Sequence, residues 1–268
     1  MTTNDVRFPT EPEPSDPQLV SALGSLSGRA PATLPGKVFA HWASAPSRLG
    51  EVFVAFTEAG VQFVRPAGSV QGDVEQFAHA YRARFARPLR PAARVPAGVV
   101  PALRGRPARD LSLDLAGLSP FAQSVLAATG RIPAGQTRPY SWVAREAGSP
   151  RAVRAVGSVL ARNPVPLLVP CHRVVRADGA LGEYMFGAGP KDELLRGEDV
   201  NLDEVEALAS RGVHYLASDT TGIVCFPTCR DARRITPAHR HGFRTLDQAV
   251  ADGYRPCRTC RPAVELTG

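Results

Sequence analysis

Cysteine is scarce in this chain, with five in 268 residues. Four of them stand as a C-x3-C pair, Cys225 and Cys229, and a C-x2-C pair, Cys257 and Cys260. That spacing excludes the dense disulfide framework of a small secreted domain and points to one zinc ion held by four thiolates. Long apolar runs are missing as well: nowhere do about eighteen apolar residues follow one another, so no transmembrane helix and no membrane partner are expected. The N-terminus, Met-Thr-Thr-Asn-Asp, lacks the basic and apolar regions of a secretory signal, so a cytoplasmic protein with reduced thiols is the expectation. Lysine is almost absent, and the net charge of +7 and the sequence pI near 9.6 come almost wholly from arginine. The planar fork of arginine suits phosphate better than a point charge does, which makes nucleic acid the natural polyanionic partner.

At this length two or three units are expected. Residues 1–35 are rich in proline, serine and acids without apolar periodicity and read as a flexible leader. From Lys37 the pattern becomes alternating, with apolar runs Val38 to Trp42, Val52 to Phe56 and Val61 to Val64 separated at Pro46 and at Ala59-Gly60, which predicts a small antiparallel sheet. Asp73 to Phe85 reads as an amphipathic helix, Arg87 to Arg109 as a loop, and Leu111, Leu113 and Leu115 alternate like one more strand. His41, Trp42 and His79 have no partners at useful spacing and read as packing or surface groups.

Chemistry begins at Leu118. Ser119-Pro120 reads as an N-cap with proline at the first helical position, opening a helix that ends at Gly130. A short helix from Ser141 to Ala147 stops at Gly148, Ser149-Pro150 reads as the cap of another running to Arg162, and Asn163-Pro164 ends it. Two short helices around a tight glycine-containing turn make a helix-turn-helix. The second helix carries Arg151, Arg154 and Arg162 among Ala152, Ala155, Gly157, Ser158 and Ala161. Cations set among small residues, without the Asn or Gln of major-groove readout, suit close approach to phosphates and to the minor groove.

Leu167 to Val169 reads as a short strand delivering Cys171. A thiol needs a base or nearby positive charge to become a thiolate. His172 is adjacent, but neighbouring side chains on an extended segment face opposite ways, so a turn at Cys171 or a bridging water is required. Glu198, at the end of the helical segment Lys191 to Glu198, is the candidate acid to orient the imidazole. A buried structural cysteine remains the alternative on the Cys-His pair alone.

Residues from Leu118 to Glu198 resemble the O6-alkylguanine-DNA alkyltransferases, the methylated-DNA–protein-cysteine methyltransferases. The resemblance rests on Pro170-Cys171-His172-Arg173-Val174, on Arg154-Ala155-Val156-Gly157 followed by Asn163-Pro164, on Ile132-Pro133-x-Gly135 with Tyr140, and on Gly179-x-x-Gly182-x-Tyr184. It implies a suicide enzyme in which Cys171 accepts the alkyl group once, activated through a water by His172 and Glu198, with Asn163 bracing the turn. It also implies that Tyr140 assists nucleotide flipping and protonates the leaving guanine, and that Arg154 fills the gap left in the stack, beside Arg151, Ala155 and Gly157 on the DNA face. Flipping is required because the O6 substituent of a stacked guanine is out of reach. Tyr184, Met185 and Phe186 would line the substrate pocket; the family usually has a small residue and paired glycines after the tyrosine, so the bulk of Met185 and Phe186 puts large O6 substituents in doubt.

The tail resembles the zinc-binding domain of the Ada adaptive-response proteins, through Thr221-Gly222-Ile223-Val224-Cys225, Pro227-x-Cys229 and Gly253-Tyr254-Arg255-Pro256-Cys257-x-x-Cys260-x-Pro262. In that family the first cysteine, here Cys225, takes a methyl group from a DNA methylphosphotriester, while a structural or DNA-docking role is the alternative. Phe226 stands where Ada proteins commonly have arginine. Arg230, Arg233, Arg234, Arg255, Arg258 and Arg261 are candidate phosphate contacts.

The resemblances imply an α/β (α+β) chain: a leader, 1–35; an RNase H-like sheet domain, 36–116; an alkyltransferase domain with its helix-turn-helix, 117–205; and an Ada-type zinc module, 211–264. The expected cofactor is one Zn2+ with no organic cofactor. The expected partner is double-stranded DNA containing O6-alkylguanine, with methylphosphotriester DNA as a second candidate, for a monomeric protein. A non-catalytic lesion-recognition protein and a zinc-dependent regulator of the alkylation response are the alternatives, and the presence of Cys171 favours the enzyme over the first.

Overall fold

The computed structural model describes residues 38–106 and 108–263. The expected leader lies outside the described residues. By its contacts the chain divides after Val38, and both sheets and the helices between them belong to the unit that begins at Phe39. Among the described residues no helix is long and apolar enough to cross a membrane.

The first sheet is built from β1 (Ala40–Ser47), β2 (Gly50–Thr57) and β3 (Gly60–Pro66), an antiparallel meander. Helix α1 (Val74–Phe85) follows, and then β4 (Leu89–Pro91), which pairs parallel to β1 and completes the order β3-β2-β1-β4. The sheet is therefore mixed, where the sequence predicted an antiparallel one. Successive β2 side chains face opposite sides. Phe53 and Ala55 pack with Phe63, Phe77 and Tyr81 under α1, whereas Val52 and Val54 join the larger core. Asp73 caps α1 by accepting the Glu75 amide hydrogen at 2.7 Å.

Three expectations in this half need correcting. Pro46 lies within β1: pairing with β4 reaches only Ala40 to Trp42, so beyond Trp42 that side of β1 needs no N–H donor. The segment Arg87 to Arg109 is not all loop, since it holds β4 and the short helix α2 (Val99–Leu103), whose Val99 and Leu103 are buried. Leu111 to Leu115 forms no strand: its backbone pairs with the sheet at one bridge, Leu113 to Val61, beside which the Asp114 carboxylate accepts from Gln62 at 2.7 Å. Alternation there reflects one bridge and not a ladder.

Helix α3 (Pro120–Gly130) opens as its sequence predicts, with Ser119 Oγ accepting the Ala122 amide hydrogen at 3.3 Å. After β5 (Arg138–Pro139) come α4 (Tyr140–Glu146) and α5 (Val153–Ala161), the helix-turn-helix pair. Ser149-Pro150 does not cap α5. The Ala152 amide closes a turn onto the Ser149 carbonyl at 2.9 Å, and the helix starts three residues later than expected. Arg151 therefore sits on the turn and Arg162 just past the helix, leaving Arg154 as the arginine on α5 itself.

β6 (Val174–Val175) pairs parallel to β5. Helices α6 (Ala188–Arg196) and α7 (Leu202–Ser210) then lead into a second four-stranded sheet. Its strands are β7 (Tyr215–Ser218), β8 (Ile223–Cys225), β9 (Arg240–Phe243) and β10 (Arg255–Pro256), in the order β10-β8-β7-β9. Helix α8 (Leu246–Ala251) is closed at its start by a reciprocal Thr245–Gln248 capping box. The chain is thus a mixed α/β protein with two four-stranded sheets on either side, along the sequence, of a helical middle that holds the two-stranded β5-β6 pair. One continuous core runs from Val52 and Val54 through Trp142 and Cys171 to all four tail cysteines.

Candidate functional site

Cys171 opens a single 3-10 turn, Cys171–Arg173, and the preceding residues form no strand, only a bridge between Pro166 and Val169. Leu167, in the left-handed region at φ 72°, turns the chain there. The turn satisfies the requirement that Cys171 and His172 not lie on an extended segment. Cys171 is 5% exposed. Burial pushes its thiol pKa up, against which act the Asn163 amide, donating to Sγ at 3.3 Å, and the positive charge of Lys191. Asn163 is fully buried and also donates to the Val169 carbonyl at 3.1 Å, while its Oδ1 accepts the Val165 amide hydrogen at 3.0 Å.

His172 Nε2 lies 3.0 Å from Glu198 Oε1. Arg173 grips the same carboxylate with two prongs, Nε to Oε2 at 2.8 Å and a terminal nitrogen to Oε1 at 2.7 Å, and spends its other nitrogen on the Ile132 carbonyl at 2.6 Å. The Gly135 amide adds a fourth bond to Oε2 at 3.2 Å. Burial opposes ionisation of Glu198, but the hydrogen bonds and charges of His172 and Arg173 outweigh it and hold the carboxyl at about 2. Burial lowers the His172 pKa in spite of Glu198, so the ring rests neutral, and its Nδ1 is buried without a partner among the described residues. A neutral imidazole with one nitrogen fixed and the other free is poised to take a proton.

Lys191, fully buried, donates to the Val174 carbonyl at 2.7 Å and to the Leu181 carbonyl, and burial brings it down to about 8, opposed by Cys171. Sequence reasoning assigned no role to Lys191 or to Arg173; charged residues in a motif read as surface until their burial is known.

The thiol faces a cavity lined by Tyr140, Arg154, Gly157, Cys171, Tyr184 and Met185 among others. Burial and then Cys171 raise the Tyr140 and Tyr184 phenols, and the Tyr184 hydroxyl is buried without a hydrogen-bond partner among the described residues. Met185 lines this cavity. Phe186 is not among its walls and stands edge-on to the Tyr184 ring, with centroids 5.5 Å apart. Arg151, Arg154 and Ala155 are exposed and Gly157 is half-buried, and of these Arg154 and Gly157 line the cavity.

In the tail, Cys225 ends β8, Cys229 lies in the turn that follows, and Cys257 and Cys260 follow β10. All four are buried, and their sulfurs lie within 4.8 Å of one another. Tetrahedral zinc with Zn–S bonds of 2.3 Å separates its sulfurs by roughly 3.8 Å, so the cluster fits one such ion with only a small contraction. Hydrogen bonds shared with Cys225 and Cys260 push the Cys229 thiol down, while Cys225, donating, is pushed up. A divalent cation relieves that competition by stabilising every thiolate. The Thr259 amide, donating to Cys257 Sγ at 3.3 Å, supports one ligand from behind.

The two centres are joined. Trp142 Nε1 donates to the Cys260 carbonyl at 2.9 Å, the Thr137 amide to Thr228 Oγ1 at 2.9 Å, and Arg261 pairs with Glu146. Arg233 donates to the Gly135 carbonyl at 3.1 Å and the Asp199 carbonyl at 3.2 Å. Arg233 and Arg261, expected at phosphates, are thus engaged within the protein, whereas Arg230, Arg234, Arg255 and Arg258 are exposed.

A buried cysteine thus lies behind a helix-turn-helix, joined to a module whose four cysteines fit one metal ion. The family model for the 6-O-methylguanine DNA methyltransferase DNA-binding domain matches residues 120–200, and that for the metal-binding domain of Ada matches residues 206–263. Residues 120–200 thus carry a domain of the 6-O-methylguanine DNA methyltransferase type, followed by an Ada-type zinc-binding domain. It is 46% identical over 91 residues to the bifunctional transcriptional activator/DNA repair enzyme Ada of Escherichia coli, covering 34% of this chain and 25% of that protein. It is 45% identical over 93 residues to the methylated-DNA–protein-cysteine methyltransferase of Methanosarcina barkeri, covering 35% and 58%. The solved O6-methylguanine methyltransferase of Mycobacterium tuberculosis is 32% identical, with 60% of this chain and 93% of that one aligned at a TM-score of 0.47. The chain thus spans between a quarter and about three fifths of these two curated relatives.

Proposed function

We propose that this protein repairs DNA by one irreversible transfer of an alkyl group from O6-alkylguanine to Cys171. The observation that carries the reading is the Asn163-braced thiol facing a cavity rimmed by Tyr140 and Arg154, with a neutral His172 held by Glu198 next to it. The Cys171 proton passes to His172 Nδ1 through a bridging water, and the positive charge that appears on the ring is met by the ionised Glu198. The sulfur electron pair forms the S–C bond, the C–O6 bond breaks with its pair going to guanine, and the Tyr140 hydroxyl returns a proton to the base. The product is a thioether, which water does not readily hydrolyse, so each molecule acts once.

DNA is the partner, held through Arg151 and Arg154 with Ala155 and Gly157 small enough to admit the backbone, and the target nucleotide is flipped into the cavity. The working modules are 36–116, 117–205 and 211–264, in a cytoplasmic monomer. For the tail, the 1% exposure of Cys225, beside the buried Phe226, supports zinc binding with DNA docking by Arg230, Arg234, Arg255 and Arg258 over methyl acceptance from a phosphotriester. The deciding experiment is incubation with DNA carrying radiolabelled O6-methylguanine, then peptide mapping. Stoichiometric label on the Cys171 peptide is expected, and label on a tail cysteine alone would refute the assignment.

A further inference from the structure

We propose that the metal-binding tail is a working part of the alkyl-transfer centre, with Arg233 a positioning residue for Glu198 and the Thr137–Thr228 contact a second tie between the same loop and the ligand turn. The proposal rests on the reading of Cys171 as the alkyl acceptor.

Gly135 is held at both ends. Its amide donates to Glu198 Oε2 at 3.2 Å and its carbonyl accepts from Arg233 at 3.1 Å. No side chain could intervene, because at φ +73° a Cβ would stand 2.7 Å from the Glu198 carbonyl oxygen. The other Arg233 nitrogen donates to the carbonyl of Asp199, the residue after Glu198, itself in the left-handed region at φ 61°. One guanidinium therefore grips the loop that faces the carboxylate and the backbone that bears it. Arg233 is in turn anchored to a metal ligand, its own amide donating to the Cys229 carbonyl at 3.1 Å.

Three residues along the same loop, Arg138 is 1% exposed. Its guanidinium sits 5.8 Å from the Trp142 ring and 5.5 Å from the ring of Phe226, the residue after Cys225. It donates to the Thr137 carbonyl at 2.7 Å and to Gln136 Oε1 at 2.6 Å, both neutral acceptors, and its Nε has no partner among the described residues. The neighbouring Thr137 amide donates at 2.9 Å to Oγ1 of Thr228, the residue before Cys229, so the loop is tied to the ligand turn a second time. A metal ion held by the four cysteines fixes the turn that carries Thr228, Cys229 and Arg233, and its removal loosens that turn. Glu198 then loses the Gly135 bond that helps to fix it opposite His172.

The test uses the full zinc-loaded chain, hydrogen–deuterium exchange resolved at the Gly135 and Thr137 amides, and the rate of label transfer from O6-methylguanine DNA to the Cys171 peptide. Metal removal should speed exchange at both amides by about tenfold or more and slow transfer by roughly 10- to 100-fold, as loss of a supporting hydrogen bond does. Arg233→Ala should retain its zinc and its DNA affinity, slow transfer to a similar degree and speed exchange at Gly135, and Arg233→Lys should recover part of both. Unchanged exchange at Gly135 and Thr137 after metal removal overturns the coupling, whether or not Cys171 reacts. Exchange accelerated throughout the chain in Arg233→Ala, with a lowered unfolding temperature, also overturns it, since Arg233 would then be a general prop. Absence of label on Cys171 in the zinc-loaded wild type would refute the reading beneath, while the exchange arm still decides the coupling.

Discussion

Asn163 and Cys171 are joined by an amide-to-sulfur hydrogen bond of 3.3 Å, and the same nitrogen reaches the Val169 carbonyl at 3.1 Å. One side chain therefore both shapes the turn and supplies a donor to the sulfur, the feature that favours thiolate over thiol in a site whose burial works the other way. Asn163→Ala leaves the Val165 amide and the Val169 carbonyl buried without that partner. The Val169 carbonyl keeps the Cys171 amide at 2.8 Å, so the Val165 amide is the group orphaned, and denaturant unfolding should show a loss of about 1–3 kcal/mol. Transfer to Cys171 in the surviving folded fraction should shift to higher pH. A stable variant with an unchanged pH profile would show that the bond to sulfur has no part in activation.

Cys171→Ala should abolish transfer from O6-methylguanine while leaving duplex affinity within about twofold, because the thiol performs the chemistry and exposed arginines such as Arg154 provide the affinity. Transfer kinetics beside a binding titration at fixed salt check both halves. Label appearing at the wild-type rate on another cysteine would overturn the role of Cys171.

Much of this centre was legible in the sequence, because Pro170-Cys171-His172-Arg173-Val174 and the Cys225, Cys229, Cys257 and Cys260 spacings encode chemistry in short stretches. Ser119 and Asp73 announced their helices for a local reason too, since a cap acts within a few residues. What stayed hidden depends on contacts distant along the chain. Arg138 and Arg233 look like any other arginine in an arginine-rich protein until the tail packs against them. Ser149-Pro150 carried a cap signal, but the Ala152-to-Ser149 turn intervened. Leu111 to Leu115 alternates convincingly, yet its backbone pairs with the sheet at the Leu113–Val61 bridge alone, and no ladder forms.

Acid should weaken the fold through Glu198 and His172 together. Glu198 is held at about 2 against an ordinary 4.5, and the His172 pKa is lowered from 6.5, so over this range the unfolded chain binds more protons at both groups than the folded chain does. The stability they contribute is present above pH 6.5. It falls first through the His172 range and then, from 4.5 towards 2, through that of Glu198. Glu198→Gln strands the Arg173 charge and should cost about 3–5 kcal/mol at pH 7. Its deficit against the wild type should shrink as pH falls from 4.5 towards 2. Denaturant titrations of both proteins at stepped pH measure this, and parallel curves would show that the Glu198 ion pair is not what acid breaks.

Trp142 offers an optical report on the metal. Its indole is buried and donates to the carbonyl of Cys260, so release of the metal should let the ligand turn move and change the polarity around the ring. In a Trp42→Phe background, leaving Trp142 as the sole tryptophan, chelation should shift the emission to longer wavelength, and added Zn2+ should reverse it. Emission that ignores metal while the tail unfolds by another probe would separate Trp142 from the cluster.

Arg154 stands exposed on α5 beside the cavity that holds Cys171, and no hydrogen bond ties it to the catalytic network. Its value should therefore lie in keeping the duplex open, not in the reaction at sulfur. Extruding a paired guanine costs a few kcal/mol, part of which a side chain filling the vacated stack recovers. Arg154→Ala should then slow transfer from duplex O6-methylguanine by roughly 10- to 100-fold, about 1.4–2.7 kcal/mol, with little change for the free alkylated base, which needs no flipping. Single-turnover rates on the two substrates, measured at one salt concentration, give the ratio. Equal losses on both would place Arg154 in the folding or activation of the site and remove it from the flipping step.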